Sequence, residues 1–220
     1  MTKDVTVIGA GGFGRETLDV LVAVEDAAPG SLRILGVVDS SPSQDALETL
    51  RERGVEFLGS VDEWLATSPT SRFIVAIGSP SARARVAAQI EALRLSPITV
   101  VHPAATVGTQ SVIGEGSVVC AGAQVSTRVR MGRHVHVNPN ATVGHDAHLG
   151  DYVSVNPAAV ISGAVDVGPR TLLGAGSVVL AGLKVGPDSV VGAAACVTRD
   201  VMDGTTVVGV PARLHERSTT

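Results

Sequence analysis

The sequence predicts an α/β domain over residues 1–97 followed, over residues 98–220, by a narrow parallel coil of short strands. Three observations carry that prediction: a strand, glycine loop and helix signature at the start, an aliphatic residue at every sixth position in the second half, and few aromatic side chains.

The six-residue period runs without a slip from Val101, Val107 and Ile113 through to Val185, Val191 and Val197. An α-helix turns every 3.6 residues and cannot present such a period on one face, and this density of Gly, Val and Pro is costly inside one. Short strands separated by turns remain. The residue two before each aliphatic position is mostly Ala, Ser, Thr or Val, and the residue after it is often glycine, as in Gly108, Gly114, Gly132 and Gly144. These glycines are read as the sharp turns of the coil. With three six-residue sides per coil, residues 18 apart lie on one side, about 4.8 Å from each other. Aromatic content of 2% means that small and branched aliphatic side chains fill the interior, which suits a narrow coil.

In the front domain, DVTVIGAGGFG is an apolar strand running into Gly9, Gly11 and Gly14, with a helix over Arg15–Val24 behind it. Glycines at that spacing allow a tight turn and let a phosphate approach a helix N-terminus. A second strand, Ile34–Val38, ends at Asp39, where an acidic side chain meets a ribose or base in nucleotide-binding folds. A short helix at Ser60–Ala66 opens with the capping pair Ser60 and Glu63. A third strand, Phe73–Ile77, leads through Gly78 to Ser79 and Pro80, an N-cap and first-turn pair for a helix ending near Leu93. The order βαβαβ is a half-Rossmann unit, and so short a domain favours a single nucleotide moiety over a whole dinucleotide.

A net charge of -4 gives no basic field for nucleic acid. No apolar leader opens the chain and no stretch reaches the roughly 18 apolar residues of a membrane span, so a cytoplasmic protein is expected. Two cysteines, Cys120 and Cys196, are too few for a disulfide framework or zinc cluster and read as small fillers.

Through GAGGFGRE, GVVDSSP, AIGSPSAR, VNPNATVGHDAHLGDYV, VGAAACVTRDV and VGVPARL, the chain resembles the hexapeptide-repeat acyltransferases over nearly its full length. Within them it is similar to the sugar O- and N-acyltransferases of sialic acid, perosamine and bacillosamine type. The resemblance implies a left-handed parallel β-helix, acetyl-CoA as co-substrate, no metal, and a nucleotide-linked sugar as acceptor. It also implies a homotrimer with active sites between subunits, consistent with a prism whose faces stay partly apolar.

Acyl transfer from a thioester needs a base for the incoming amine or hydroxyl and a donor for the oxyanion. Histidine suits the first task near neutral pH, and His134, His136, His145 and His148 cluster in one region. The family motif, a histidine and an acidic residue before a hydrophobic-Gly-Asp step, falls on His145 and Asp146 and implies His145 as base with Asp146 orienting it. Adjacent strand residues point to opposite faces, so this pair is expected at a corner. In the front domain the implied acceptor residues are Gly11, Gly12, Phe13, Arg15, Asp39 and Gly78. Gly163, Gly174 and Gly182 are implied to line the groove for the pantetheine arm of coenzyme A.

Two departures keep other readings open. Many relatives carry a histidine where this chain has Ser154; His136, one coil below by the 18-residue period, or Asn156 is then expected to supply the missing polar contact to substrate. That change allows a non-catalytic scaffold. Phe13 stands where relatives often have histidine, which allows a small non-nucleotide acceptor such as an antibiotic sugar or an amino acid.

Overall fold

The structure, a computed structural model, describes residues 2–215. Its front domain runs β1 (Lys3–Ile8), α1 (Gly12–Ala27), β2 (Leu32–Val38), α2 (Gln44–Glu52), α3 (Val61–Ala66), β3 (Arg72–Val75) and α4 (Pro80–Glu91). The three strands form a parallel sheet in the order β2-β1-β3. Parallel strands covered by helices read as continuous apolar runs, and Val5, Val7, Ile8, Val37, Val38 and Phe73–Val75 are indeed sealed from solvent.

Two elements differ from expectation. Helix α2, capped by the Ser43 side chain on the Ala46 N–H, is absent from the sequence reading. It buries only Ala46 and Leu50, too little apolar periodicity to mark it. Strand β3 ends at Val75 rather than at Ile77, because the Ile77 carbonyl leaves the sheet and accepts from Arg83 Nη1 at 2.7 Å.

The second half winds into three parallel sheets meeting as a prism, and from Val100 to Val197 the rungs join residues 18 apart: His136 with Ser154, Thr142 with Val160, His148 with Asp166. The last turn is two residues shorter, pairing Val190 with Thr206. The periodic aliphatic residues and the small ones two before them point inward; Val137, Val143, Leu149 and Ala141 are fully buried. The glycines that follow them do not form the turns. The left-handed residues lie three places after each aliphatic one, as at Arg128 (φ 58), His134 (φ 53) and Asp146 (φ 59). Glycine follows the aliphatic residue for a different reason, crowding from the next coil: a Cβ on Gly144 would lie 2.5 Å from the Ser162 carbonyl carbon.

The front domain sits on the face formed by the strands that include Val100–Val101, Val118–Val119, His136–Val137 and Ser154–Val155. Val100, Val118 and Cys120 join the apolar core beneath β1 and α1. Burial pushes the Cys120 thiol up to about 12, so it packs as an inert filler. No helix among the described residues is long and apolar enough to cross a membrane.

Candidate active site

Gly144, His145 and Asp146 turn the chain from the strand Thr142–Val143 to the strand His148–Leu149, so the expected corner is present. Asp146 takes the left-handed conformation, which aspartate tolerates better than most residues. There its Oδ2 meets His145 Nδ1 at 2.8 Å, and its Oδ1 pairs with Nε of Arg128, one coil below, at 2.8 Å. The His145 bond, and then the Arg128 charge, hold the Asp146 carboxyl below the usual carboxylate range. A carboxylate can only accept, so Nδ1 of His145 carries the proton and its Nε2 presents a lone pair. The imidazole is 64% exposed and lies over Gly163, where a Cβ would stand 2.5 Å from Nε2. Gly163 is therefore the residue that leaves room for this ring.

The corner is asymmetric along the coil axis. Toward the C-terminus the positions stacked on His145 and Asp146 are the small residues Gly163, Ala164, Ala181 and Gly182, before Arg199 and Asp200. Toward the N-terminus it opens on a cleft of about 450 Å³ lined by Gln110, Arg128, Arg130, Asp146, Ala147 and His148. His148, on the adjoining face, pairs instead with Asp166 at 3.1 Å.

The other implied residues gather elsewhere. Gly11 and Gly12 are exposed at the end of β1, with open space where a side chain would be. Gly11 caps α1, and among the described residues no side chain accepts from its first turn, leaving N–H groups for an anion. Asp39 braces this loop, accepting from the Ala10 N–H with Oδ2 and the Ser41 N–H with Oδ1, both at 2.8 Å. Arg15 pairs with Asp45 at 3.3 Å. Phe13 turns inward and stacks on His136 with centroids 4.3 Å apart.

His136 and Ser154 lie neither at the corner nor in solvent: both are buried in the seam between the domains. His136 Nε2 donates to the Val75 carbonyl at 3.0 Å, and burial, then the nearby Arg83 charge, drives its pKa well down. Ser154 Oγ donates to the Gly78 carbonyl at 3.2 Å and accepts from Arg83 at 2.9 Å. His134 is sealed beside them, ring to ring with Tyr152 and bonded to Glu91 at 2.9 Å, again with a lowered pKa through burial. Asn156 and Gly174 share the corner that follows the docking face, away from Gly163 and Gly182. The implied groove glycines thus divide between two corners. Arg83 and Glu91, which organise the seam, were missed from the sequence. The signal for Arg83 was its place with Ala87 and Ile90 on one helical stripe.

Among the described residues no group of three or more His, Cys, Asp or Glu is placed to hold a metal ion.

A half-Rossmann domain seated on a hexapeptide coil that carries an exposed histidine-carboxylate pair defines an acyltransferase class of architecture. Residues 4–90 match the PglD N-terminal domain family. The chain is 30% identical to a point mutant of perosamine N-acetyltransferase from Caulobacter crescentus, solved in complex with CoA and GDP-perosamine. That likeness has a TM-score of 0.87 and covers 98% of each chain. The acetyltransferase domain of PglB from Neisseria gonorrhoeae, in complex with acetyl coenzyme A, is 29% identical with a TM-score of 0.84, over 98% of this chain and 100% of that one. GDP-perosamine N-acetyltransferase of Escherichia coli O157:H7 is 34% identical over 140 residues, a match spanning 64% of this chain and 61% of that enzyme. The chain belongs to the sugar O- and N-acyltransferase family of hexapeptide-repeat proteins, which includes the perosamine and bacillosamine enzymes.

Proposed function

We propose that the protein transfers an acetyl group from acetyl-CoA to the amino group of a nucleotide-linked sugar, with His145 as general base. The observation that carries this reading is the His145–Asp146 pair, whose 2.8 Å bond fixes the proton of the neutral ring on Nδ1 and turns Nε2 outward over Gly163. The amino nitrogen attacks the thioester carbonyl carbon while Nε2 takes one of its protons. The tetrahedral adduct then collapses with cleavage of the C–S bond, and the imidazolium returns that proton to the departing thiolate. The Gly163 N–H has no acceptor among the described residues and is the donor assigned to the oxyanion. The small residues Gly163 and Gly182 leave room beside His145 for the slender pantetheine arm.

The nucleotide is assigned to the loops at Gly11, Gly12 and Gly78, where β1 and β3 end and the α1 N-terminus is free, the place where open α/β sheets take such ligands. Those loops stand on the docking face, whereas His145 is at the corner joining the other two faces. One chain does not bring both halves together, which supports a homotrimer with sites completed between subunits. Nitrogen is favoured over oxygen as the acyl acceptor because the similar enzymes are N-acetyltransferases.

The test is free-thiol release from acetyl-CoA over a panel of nucleotide-linked sugars bearing either free amino or only hydroxyl groups, with free amino sugars and amino acids as controls. Turnover confined to the nucleotide-linked amino sugars is expected. Turnover on the free acceptors alone would replace the nucleotide reading, and none on any acceptor would favour a scaffold. Mixing two inactive variants, His145→Ala and Gly12→Glu, should restore activity if the sites span subunits; an inactive mixture of exchanged subunits contradicts that arrangement.

A further inference from the structure

Arg83 is fully buried, yet no carboxylate lies within ion-pairing distance of it among the described residues. It is surrounded by neutral oxygen atoms instead. From its own domain the Ile77 and Gly78 carbonyls accept from Nη1 at 2.7 and 3.3 Å. From the coil the His134 carbonyl accepts from Nε at 3.0 Å, while the Tyr152 carbonyl, the Val153 carbonyl and Ser154 Oγ accept from Nη2 at 2.7, 3.3 and 2.9 Å. Burial pulls the guanidinium down to about 9, which keeps it charged at neutral pH. Ser154 closes the arrangement by donating to the same Gly78 carbonyl.

The domains have other fasteners: the paired bonds of Arg133 to Glu91, the His136 bond to Val75, and the apolar packing of Val100, Val118 and Cys120. The Ile77–Gly78 segment has no such redundancy, since it lies beyond the end of β3 and its carbonyls are held by Arg83 and Ser154. We infer that Arg83 and Ser154 form a clamp that positions the Gly78 loop over the coil and thereby sets affinity for the acceptor. The inference rests on the assignment of Gly78 to the acceptor site. It also gives Ser154 a role of its own: a small hydroxyl here admits the guanidinium fork and ties it to the loop.

Lysine keeps the charge but lacks the planar fork that reaches both domains at once. For Arg83→Lys, amide hydrogen exchange at residues 82 and 83, whose N–H groups bond to Ser79 at the end of this loop, should quicken about tenfold, and the acceptor KM should rise about tenfold, the scale of one lost charge-assisted bond. The acetyl-CoA KM and kcat should stay within about twofold, since uniform acceptor binding is what is lost. Ser154→Ala, which removes one hydroxyl, should move both readouts in the same direction by about threefold, and it keeps the clamp testable should Arg83 variants fold poorly. Unchanged exchange at residues 82 and 83 overturns the clamp however the activity behaves. A fall in kcat with an unchanged acceptor KM overturns the positioning role in favour of a structural one. Absence of turnover by the wild-type protein on every nucleotide-linked sugar overturns the assignment of Gly78, a failure separable from that of the clamp by the exchange result.

Discussion

Four histidines lie within fifteen residues of one another, and the corner and the seam use them in opposite ways. At the corner, His145 is exposed, paired through Nδ1 with a carboxylate, and presents Nε2 to solvent. In the seam, His134 and His136 are sealed, held neutral by burial, and spend Nε2 on Glu91 and on the Val75 carbonyl. Residue type therefore says little about chemistry here; position along the coil decides it. The residue two places after an aliphatic one protrudes at a corner, whereas the one just before it faces outward on a flat side, which the front domain covers at His136.

The contrast breaks most easily at Gly163. Gly163→Val puts side-chain atoms where the His145 ring lies, and a displacement of about 1 Å at a reacting group costs about a hundredfold in kcat. The melting temperature should barely change, because that corner is exposed; thiol-release kinetics beside a thermal melt check both. In the seam the same comparison runs the other way. His136→Ala removes a buried ring and its bond to Val75 and should lower unfolding stability by about 2 kcal/mol in urea titration, with kcat of the folded fraction little changed.

A third prediction concerns pH. His134 and His136 have folded pKa values below the unfolded value of about 6.5, so the unfolded chain binds more protons as acidity rises. Stability is then fully present above about pH 6.5 and falls on acidification, by at most about 1.4 kcal/mol per pH unit for each histidine. Melting temperatures from pH 7.5 to 5 should decline, and His136→Gln should flatten the decline; a slope unaltered by that substitution contradicts the assignment. The smallest effect belongs to Arg128→Ala. The ion pair with Asp146 is exposed, so kcat should fall only about two- to threefold.

Much of the coil was legible because its interior is one-dimensional: a six-residue period fixes the stacking of residue i on i+18 without any long-range guess. The glycine loop was legible from its local spacing, although only Gly14 answers to its own strand-loop-helix unit, against the Gly9 carbonyl, while Gly9 is crowded by Ala76 just past β3. The His145–Asp146 assignment came from a family motif, although the need for a corner followed from strand alternation alone. The seam was not legible. Arg83 is satisfied by backbone carbonyls from residues 51 to 70 positions away, and no sequence pattern marks a carbonyl that has left its sheet. For the same reason His136 and Ser154 were expected at substrate: their 18-residue stacking was right, but what covered that face depended on how two domains meet. The glycines after the aliphatic residues were correctly located yet explained by the wrong force, conformational freedom instead of contact between successive coils.

The most direct measurement is acetyl transfer by His145→Ala followed alongside its thermal unfolding. If the corner performs the chemistry, thiol release should fall by about a hundredfold or more, the range of a lost general base, with the melting temperature unchanged. Undiminished turnover, or a loss matched by collapse of the fold, would contradict it.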